Sequence, residues 1–309
     1  MPISATRVFH ININCRNLDR SLTFYCDGLG LSPGARTVSP EQPGDAFGLE
    51  TAAWDAWILV DSRGMDGTAV DLLEWQTPPP TGAPPVAANQ LGFARLGFSS
   101  TDVAATRDRL RRAGAPRLTE PHETSMEGAP LMRTFIGADP DGTAFEVVGP
   151  AASATGDAST RLSFVVVNCS DLARSEAFYS EVLGFHPRVR FAPGPRDEST
   201  LGLGPDAEWE MAYLDDPRGT GTFAIDLVQW HNPTPTGAPS STANRVGPFR
   251  LALLTDDIDG DHAVLVEIGV RCWSPPATLR MGPGLPELRA LLFEDPDGTV
   301  LELIQTPTV

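Results

Sequence analysis

The chain has 309 residues, 41% of them hydrophobic, with 23 Lys and Arg against 40 Asp and Glu and a net charge of −17. That length suits one large domain or two of ordinary size, and the charge repels phosphate backbones and anionic membrane surfaces, so neither nucleic acid nor membrane is an expected partner. No segment approaches the ~20 apolar residues of a membrane span, "MPISATR" has no basic-then-apolar leader pattern, and Cys15, Cys26, Cys169 and Cys272 lack metal-ligand spacing; a cytoplasmic protein with reduced thiols is expected.

The first element is "RVFHININC", residues 7–15, which alternates at the period of a strand. Its polar face carries His10, Asn12 and Asn14, and its apolar face carries Ile11 and Ile13. Residues 18–28 place Leu18, Leu22 and Tyr25 at helical spacing behind a polar start, and strand-like runs follow around 36–40, 52–61 and 68–75. After the turn-rich "TPPPTGAPP", the strand-like stretch 94–100 leads into "DVAATRDRLRRAGA", which has an Asp N-cap, an apolar stripe and a terminal Gly, the marks of a helix. "TFIGADPDGTAFEVVG" (134–149) reads as a hairpin with an Asp-Pro-Asp-Gly turn.

The same elements then recur. "NLDRSLTFYCDGLGL" (17–31) matches "DLARSEAFYSEVLGF" (171–185), "VDLLEWQTPPPTGAP" (70–84) matches "IDLVQWHNPTPTGAP" (225–239), and "DPDGTAFEVVG" (139–149) matches "DPDGTVLELIQ" (295–305). The offset drifts only from 154 to 156 residues, so the chain is a duplication. The expected division is a first domain at 1–150, a small polar linker at 151–160 and a second domain at 161–309. Each half divides again into two strand–helix–three-strand units, giving four βαβββ modules.

These motifs, "NLDRSLTFYCDGLGL" and the two "DPDGT…E" hairpins above all, resemble the vicinal oxygen chelate superfamily of glyoxalase I, extradiol dioxygenases and bleomycin-resistance proteins. The resemblance covers nearly the whole chain. It implies an α+β fold of two tandem glyoxalase-like domains, whose paired modules form U-shaped mixed sheets around cavities that usually hold a metal. The family's first-strand histidine falls on His10, but on Phe164 in the second half. Its carboxylate falls on Asp71 and Asp226, and its closing glutamate on Glu146 and Glu302. The histidine that opens the even modules falls on Arg95 and Arg250.

An arginine has no lone pair to offer a metal and stays protonated. At about 4 Å it repels a divalent cation by roughly 8 kcal/mol at an effective dielectric of about 20. A cavity without a metal cofactor is therefore expected; the alternative is zinc, nickel or iron held by His10, Asp71 and Glu146 with water. The resemblance leaves open whether modules pair within a half or across halves.

Two classes of function remain. One is an enzyme on a small organic molecule, in specialised metabolism, doing proton-transfer chemistry such as isomerisation, cyclisation or elimination. His10 would be the base, Arg95 or Arg250 would stabilise an anion beside Glu146, and Asn12, Asn14 and Asp71 would orient the substrate. Arg250, Glu302, Trp75 and the unmatched Trp57 are further candidate contacts, although a repeated Trp such as Trp54 or Trp75 is more often core and a repeated Arg–Glu pair can be a structural clip. The other class is a binding protein that sequesters a drug or metabolite. A metal-dependent lyase or dioxygenase is a further alternative, and the chain would act as a monomer or homodimer.

Overall fold

The computed structural model describes residues 2–124, 131–152 and 158–307, so 153–157 of the expected linker lie outside the described residues. The first module comprises β1 (Ala5–Asn14), α1 (Leu18–Thr23), β2 (Ser32–Val38), β3 (Thr51–Val60) and β4 (Ala69–Thr77). The second has β5 (Gly92–Ser100), α2 (Val103–Arg112), β6 (Met132–Ala138) and β7 (Ala144–Pro150), with short strands at Arg117–Leu118 and His122–Thr124. The third runs through β8 (Thr160–Cys169), α3 (Leu172–Ala177), β9 (His186–Arg196), β10 (Ala207–Asp215) and β11 (Ala224–Asn232). The fourth has β12 (Gly247–Thr255), α4 (Ile258–Glu267), β13 (Ala277–Leu279), β14 (Leu288–Glu294) and β15 (Val300–Gln305).

Each helix starts where an Asx side chain caps it: Asn17, Asp102, Asp171 and Asp257 accept from the backbone N–H three residues on. The helix expected over 18–28 is α-helical to Thr23 and closes with a wider π turn over Phe24–Gly28.

The modules pair across the halves. β1 runs antiparallel to β12, and β5 to β8, so the first module shares a sheet with the fourth and the second with the third. Among the described residues each sheet has nine strands, in the order β13-β14-β15-β12-β1-β4-β3-β2 and β9-β10-β11-β8-β5-β7-β6 plus short edge strands. The repeat is therefore not the unit that encloses a cavity; each cavity takes one module from either half.

The repeated motifs of each half hold the two sheets together. Tyr25 donates its hydroxyl proton to Asp139 at 3.1 Å, and Tyr179 does the same to Asp295 at 3.1 Å. The same two aspartates accept from the backbone N–H of Thr143 and Thr299 at 2.8 Å, closing the Asp-Pro-Asp-Gly turns. One face of each central strand, with Ile11, Ile13, Val165 and Val167, packs into the large core shared with the helices. The opposite faces are concave and look into the two cavities. All four cysteines are free thiols, and no described helix is long and apolar enough to cross a membrane.

Candidate functional site

In the first sheet four charged or ionisable side chains converge on the cavity floor. His10 comes from β1, Asp71 from β4, Arg250 from β12 and Glu302 from β15, and they are only 4%, 5%, 6% and 2% exposed. Strand register explains the meeting: Ala252 lies opposite both His10 and Glu302, and Asn12 lies beside Asp71. Between Val8 and His10, β1 advances two residues while β12 advances one, and this bulge lets the neighbours Phe9 and His10 both reach the cavity.

Arg250 joins the two carboxylates. Its Nε donates to Glu302 Oε2 at 2.7 Å and its Nη2 to Asp71 Oδ2 at 3.1 Å. Asn12 Nδ2 also donates to Asp71 Oδ2, at 3.0 Å. His10 Nε2 stands 3.5 Å from Glu302 and 3.7 Å from Asp71, and neither ring nitrogen has a hydrogen-bond partner among the described residues. Arg250 Nη1 is likewise buried without one. Burial pushes Glu302 up, but Arg250 and His10 outweigh it and hold the carboxyl below its ordinary range. Burial also opposes the charge on Arg250, which Glu302 and Asp71 more than restore.

Above this floor the cavity, about 180 Å³, is walled mainly by apolar side chains that include Phe9, Phe47, Trp54, Ile58, Met281 and Leu288. A divalent metal does not fit the donor set. The guanidinium bridges the two carboxylates that would have to bind the metal, and it has no lone pair to contribute. Among the described residues no group of three His, Cys, Asp or Glu is placed to hold a metal ion.

Several expected site residues fall elsewhere. Arg95 and Glu146 face each other in the second sheet, Nε to Oε2 2.8 Å, so the proposed trio of His10, Arg95 and Glu146 is split, as is the metal set of His10, Asp71 and Glu146. His10 instead faces Glu302 and Asp71, the two carboxylates that Arg250 bridges. Asn14 and Trp75 share a structural bond, Trp75 Nε1 donating to Asn14 Oδ1 at 3.0 Å, while Asn14 Nδ2 holds the carbonyls of Ala243 and Arg245 at 2.7 and 2.8 Å. Asn168 and Trp230 repeat that arrangement, the Asn168 amide holding the carbonyls of Ala88 and Gln90. Trp57 turns to the core face of β3, and Trp54, three residues earlier and of opposite parity, lines the cavity with its indole N–H donated to Thr37. Ile58 lies directly across from Asp71 and shares the face of Trp54, so the register of β3 against β4 decides which Trp meets the cavity.

The second cavity, about 350 Å³, uses the same positions differently. Phe164 stands in the place of His10, packed against Gly97 where the first sheet has Ala252. Thr134 donates to the second oxygen of Glu146 at 2.9 Å. Asp226 has no partner on its buried Oδ1, and burial pushes its carboxyl up to about 7 despite the attraction of Arg95.

Comparison with known proteins gives consistent matches. The model of the Glyoxalase/Bleomycin resistance protein/Dioxygenase superfamily matches residues 7–147 and 161–303. The uncharacterized protein YaeR of Escherichia coli (strain K12) is 30% identical over 141 residues, covering 46% of this chain and 92% of that protein. Glyoxalase I from Zea mays superposes with a TM-score of 0.67 at 19% identity, over 97% of this chain and 92% of the other. A putative dioxygenase from Bacillus subtilis subsp. subtilis str. 168 does so with a TM-score of 0.60 at 14% identity, over 99% and 87%. Identities this low speak for the fold alone.

Proposed function

The chain belongs to the Glyoxalase/Bleomycin resistance protein/Dioxygenase superfamily, and from that premise we propose that it is a small-molecule enzyme of specialised metabolism whose first cavity performs proton-transfer chemistry without a metal. The observation that carries this is the pair of unsatisfied groups on the floor: a buried imidazole with both nitrogens free and a buried guanidinium N–H beside it. Unpartnered polar atoms in a closed apolar site cost about 1–3 kcal/mol each, a deficit that a bound ligand removes.

Glu302 and Asp71 lie on the Nε2 side of His10. They favour the tautomer with hydrogen on Nε2 and leave the Nδ1 lone pair as the base. A substrate C–H beside a carbonyl would give its proton to Nδ1, and the electron pair would move onto the carbonyl oxygen, which Arg250 Nη1 would stabilise. Return of the proton to another carbon completes an isomerisation; loss of a group from the adjacent carbon completes an elimination. With Arg250 already shared between two carboxylates, the floor has no spare positive charge, and the substrate is a neutral, mainly apolar carbonyl compound.

The test is exchange of substrate hydrogen in D2O, with a chelator present, across a panel of enolisable cyclic ketones, read by mass spectrometry. Wild-type protein should accelerate exchange for at least one ketone, and His10→Ala should lose that exchange while still binding it. Exchange that survives in His10→Ala would refute the role of His10. Tight binding with no exchange by the wild type would move the assignment to a protein that sequesters a drug or metabolite.

A further inference from the structure

Asp226 occupies in the second sheet the register position that Asp71 holds in the first, beside Val166 as Asp71 is beside Asn12. It has lost what satisfies Asp71. The amide donor Asn12 has become Val166, which has no hydrogen to give. Arg250 divides its donors between Glu302 and Asp71, whereas the described bond of Arg95 is to Glu146. The result is a carboxylate on the floor of a cavity with one oxygen buried and bonded to nothing described.

The surrounding charges do not supply the missing partner. Arg95 is paired with Glu146, and Arg188, at the wall, with Asp215 at 3.0 Å. Glu198 accepts the indole N–H of Trp209 at 2.8 Å and faces Arg196, while Tyr213 and His122 complete the titratable lining. The walls are aromatic: Phe164 and Tyr213 lie 6.1 Å apart between centroids, with Trp209 beyond, and Arg188 and Arg196 lie over the Tyr213 and Trp209 rings at 4.6 and 4.0 Å. With those two rings already engaged by guanidinium groups, the unpaired carboxylate is what calls for an organic cation, and the apolar and aromatic walls suit its skeleton.

We propose that the second cavity is a separate binding site for a protonated amine carried on an aromatic or apolar skeleton, with Asp226 as its counter-ion. The ammonium donates to the Asp226 carboxylate, and the skeleton lies among Phe164, Tyr213 and Trp209. The chain's net charge of −17 raises the local concentration of such cations. Because burial holds the empty site's carboxyl at about 7, binding displaces a proton in neutral solution. Affinity therefore falls about tenfold per pH unit below that point and levels off above it. This site stands or falls independently of the chemistry proposed for the first cavity.

The test is calorimetric titration of the full chain with tryptamine and with its uncharged isostere 3-propylindole at about pH 8. Tryptamine should bind one-to-one and at least about tenfold more tightly than the isostere. Asp226→Asn should erase that difference while keeping the side chain's shape. Val166→Asn, which restores the donor seen in the first cavity, should weaken tryptamine and leave 3-propylindole unchanged. Equal affinity for the two probes, a preference untouched by both variants, or no saturable tryptamine binding up to about 10 mM would overturn the proposal.

Discussion

Arg250→Met keeps the length and approximate volume of the side chain while removing the cation between Glu302 and Asp71. The two contacts are 2.7 and 3.1 Å, each worth roughly 5–6 kcal/mol of Coulomb attraction at an effective dielectric of about 20. Most of that is offset by the desolvation of three buried charges, and breaking such a group from one side costs about 3–5 kcal/mol. The variant has an escape: its carboxyls can take up protons. In the wild type Glu302 is held below its ordinary range, so its contribution is present at neutral pH and fades as acid titrates it. Without Arg250, burial raises the folded-state carboxyl above its unfolded value, and the sign reverses; the folded form then gains relative stability in acid and loses it as pH rises. Urea denaturation should show a deficit of about 3–5 kcal/mol at about pH 8, smaller by at least about 1 kcal/mol at about pH 5, with an unchanged m-value. A deficit under about 1 kcal/mol, or one that is the same at both pH values, would refute the view that Arg250 neutralises two buried carboxylates.

Other consequences are checked by simple variants. Asp226 has a folded-state value of about 7 against an ordinary 3.8, so the folded chain keeps a proton that the unfolded chain releases, and this stabilisation disappears as pH climbs through that window. Asp226→Asn should therefore gain up to about 4 kcal/mol on the wild type between about pH 4 and pH 8, seen as diverging Tm profiles; parallel profiles would contradict it. Asn14→Leu leaves two carbonyls and the Trp75 indole unpaired and should cost about 2–4 kcal/mol in urea melts with no change in ligand affinity, whereas a selective loss of affinity would return Asn14 to the site. Gly97→Ala places a Cβ 2.2 Å from the Phe164 ring and should destabilise by about 1–3 kcal/mol. Adding Phe164→Ala should relieve much of that steric cost in a double-mutant cycle, and purely additive losses would show that the ring is not the obstacle.

Much of the fold was legible because local patterns decide it. The alternation of residues 7–15, the capping Asx residues and the Asp-Pro-Asp-Gly turns all act within a few residues of themselves. Which module faces which is not such a property. β1 could in principle pair with β5 or β12, since both carry an Arg at the same position and lead to a strand with the same Glu. The choice of β12 puts His10 on one floor with Arg250 and Glu302 in place of Arg95 and Glu146. The duplication held a further signal. Asn14 and Trp75 recur as Asn168 and Trp230, and in both halves the amide is used up between backbone carbonyls and the indole N–H. His10 against Phe164 and Asn12 against Val166 are the floor positions at which the halves differ, and the two cavities are proposed to differ in role there.

If the first cavity works through His10 and Arg250 with no metal, metal stoichiometry shows it. Purified wild-type protein and Arg250→His would each be incubated with excess zinc, nickel or iron(II), freed of unbound ion and analysed for metal per chain. Arg250→His removes the guanidinium that bridges the two carboxylates and puts a nitrogen donor beside His10, Asp71 and Glu302, so the variant has the donor the wild type lacks. Wild-type protein should retain well under about 0.1 metal ion per chain, and Arg250→His should gain one. One ion retained per wild-type chain, and lost in His10→Ala, would contradict a metal-free cavity.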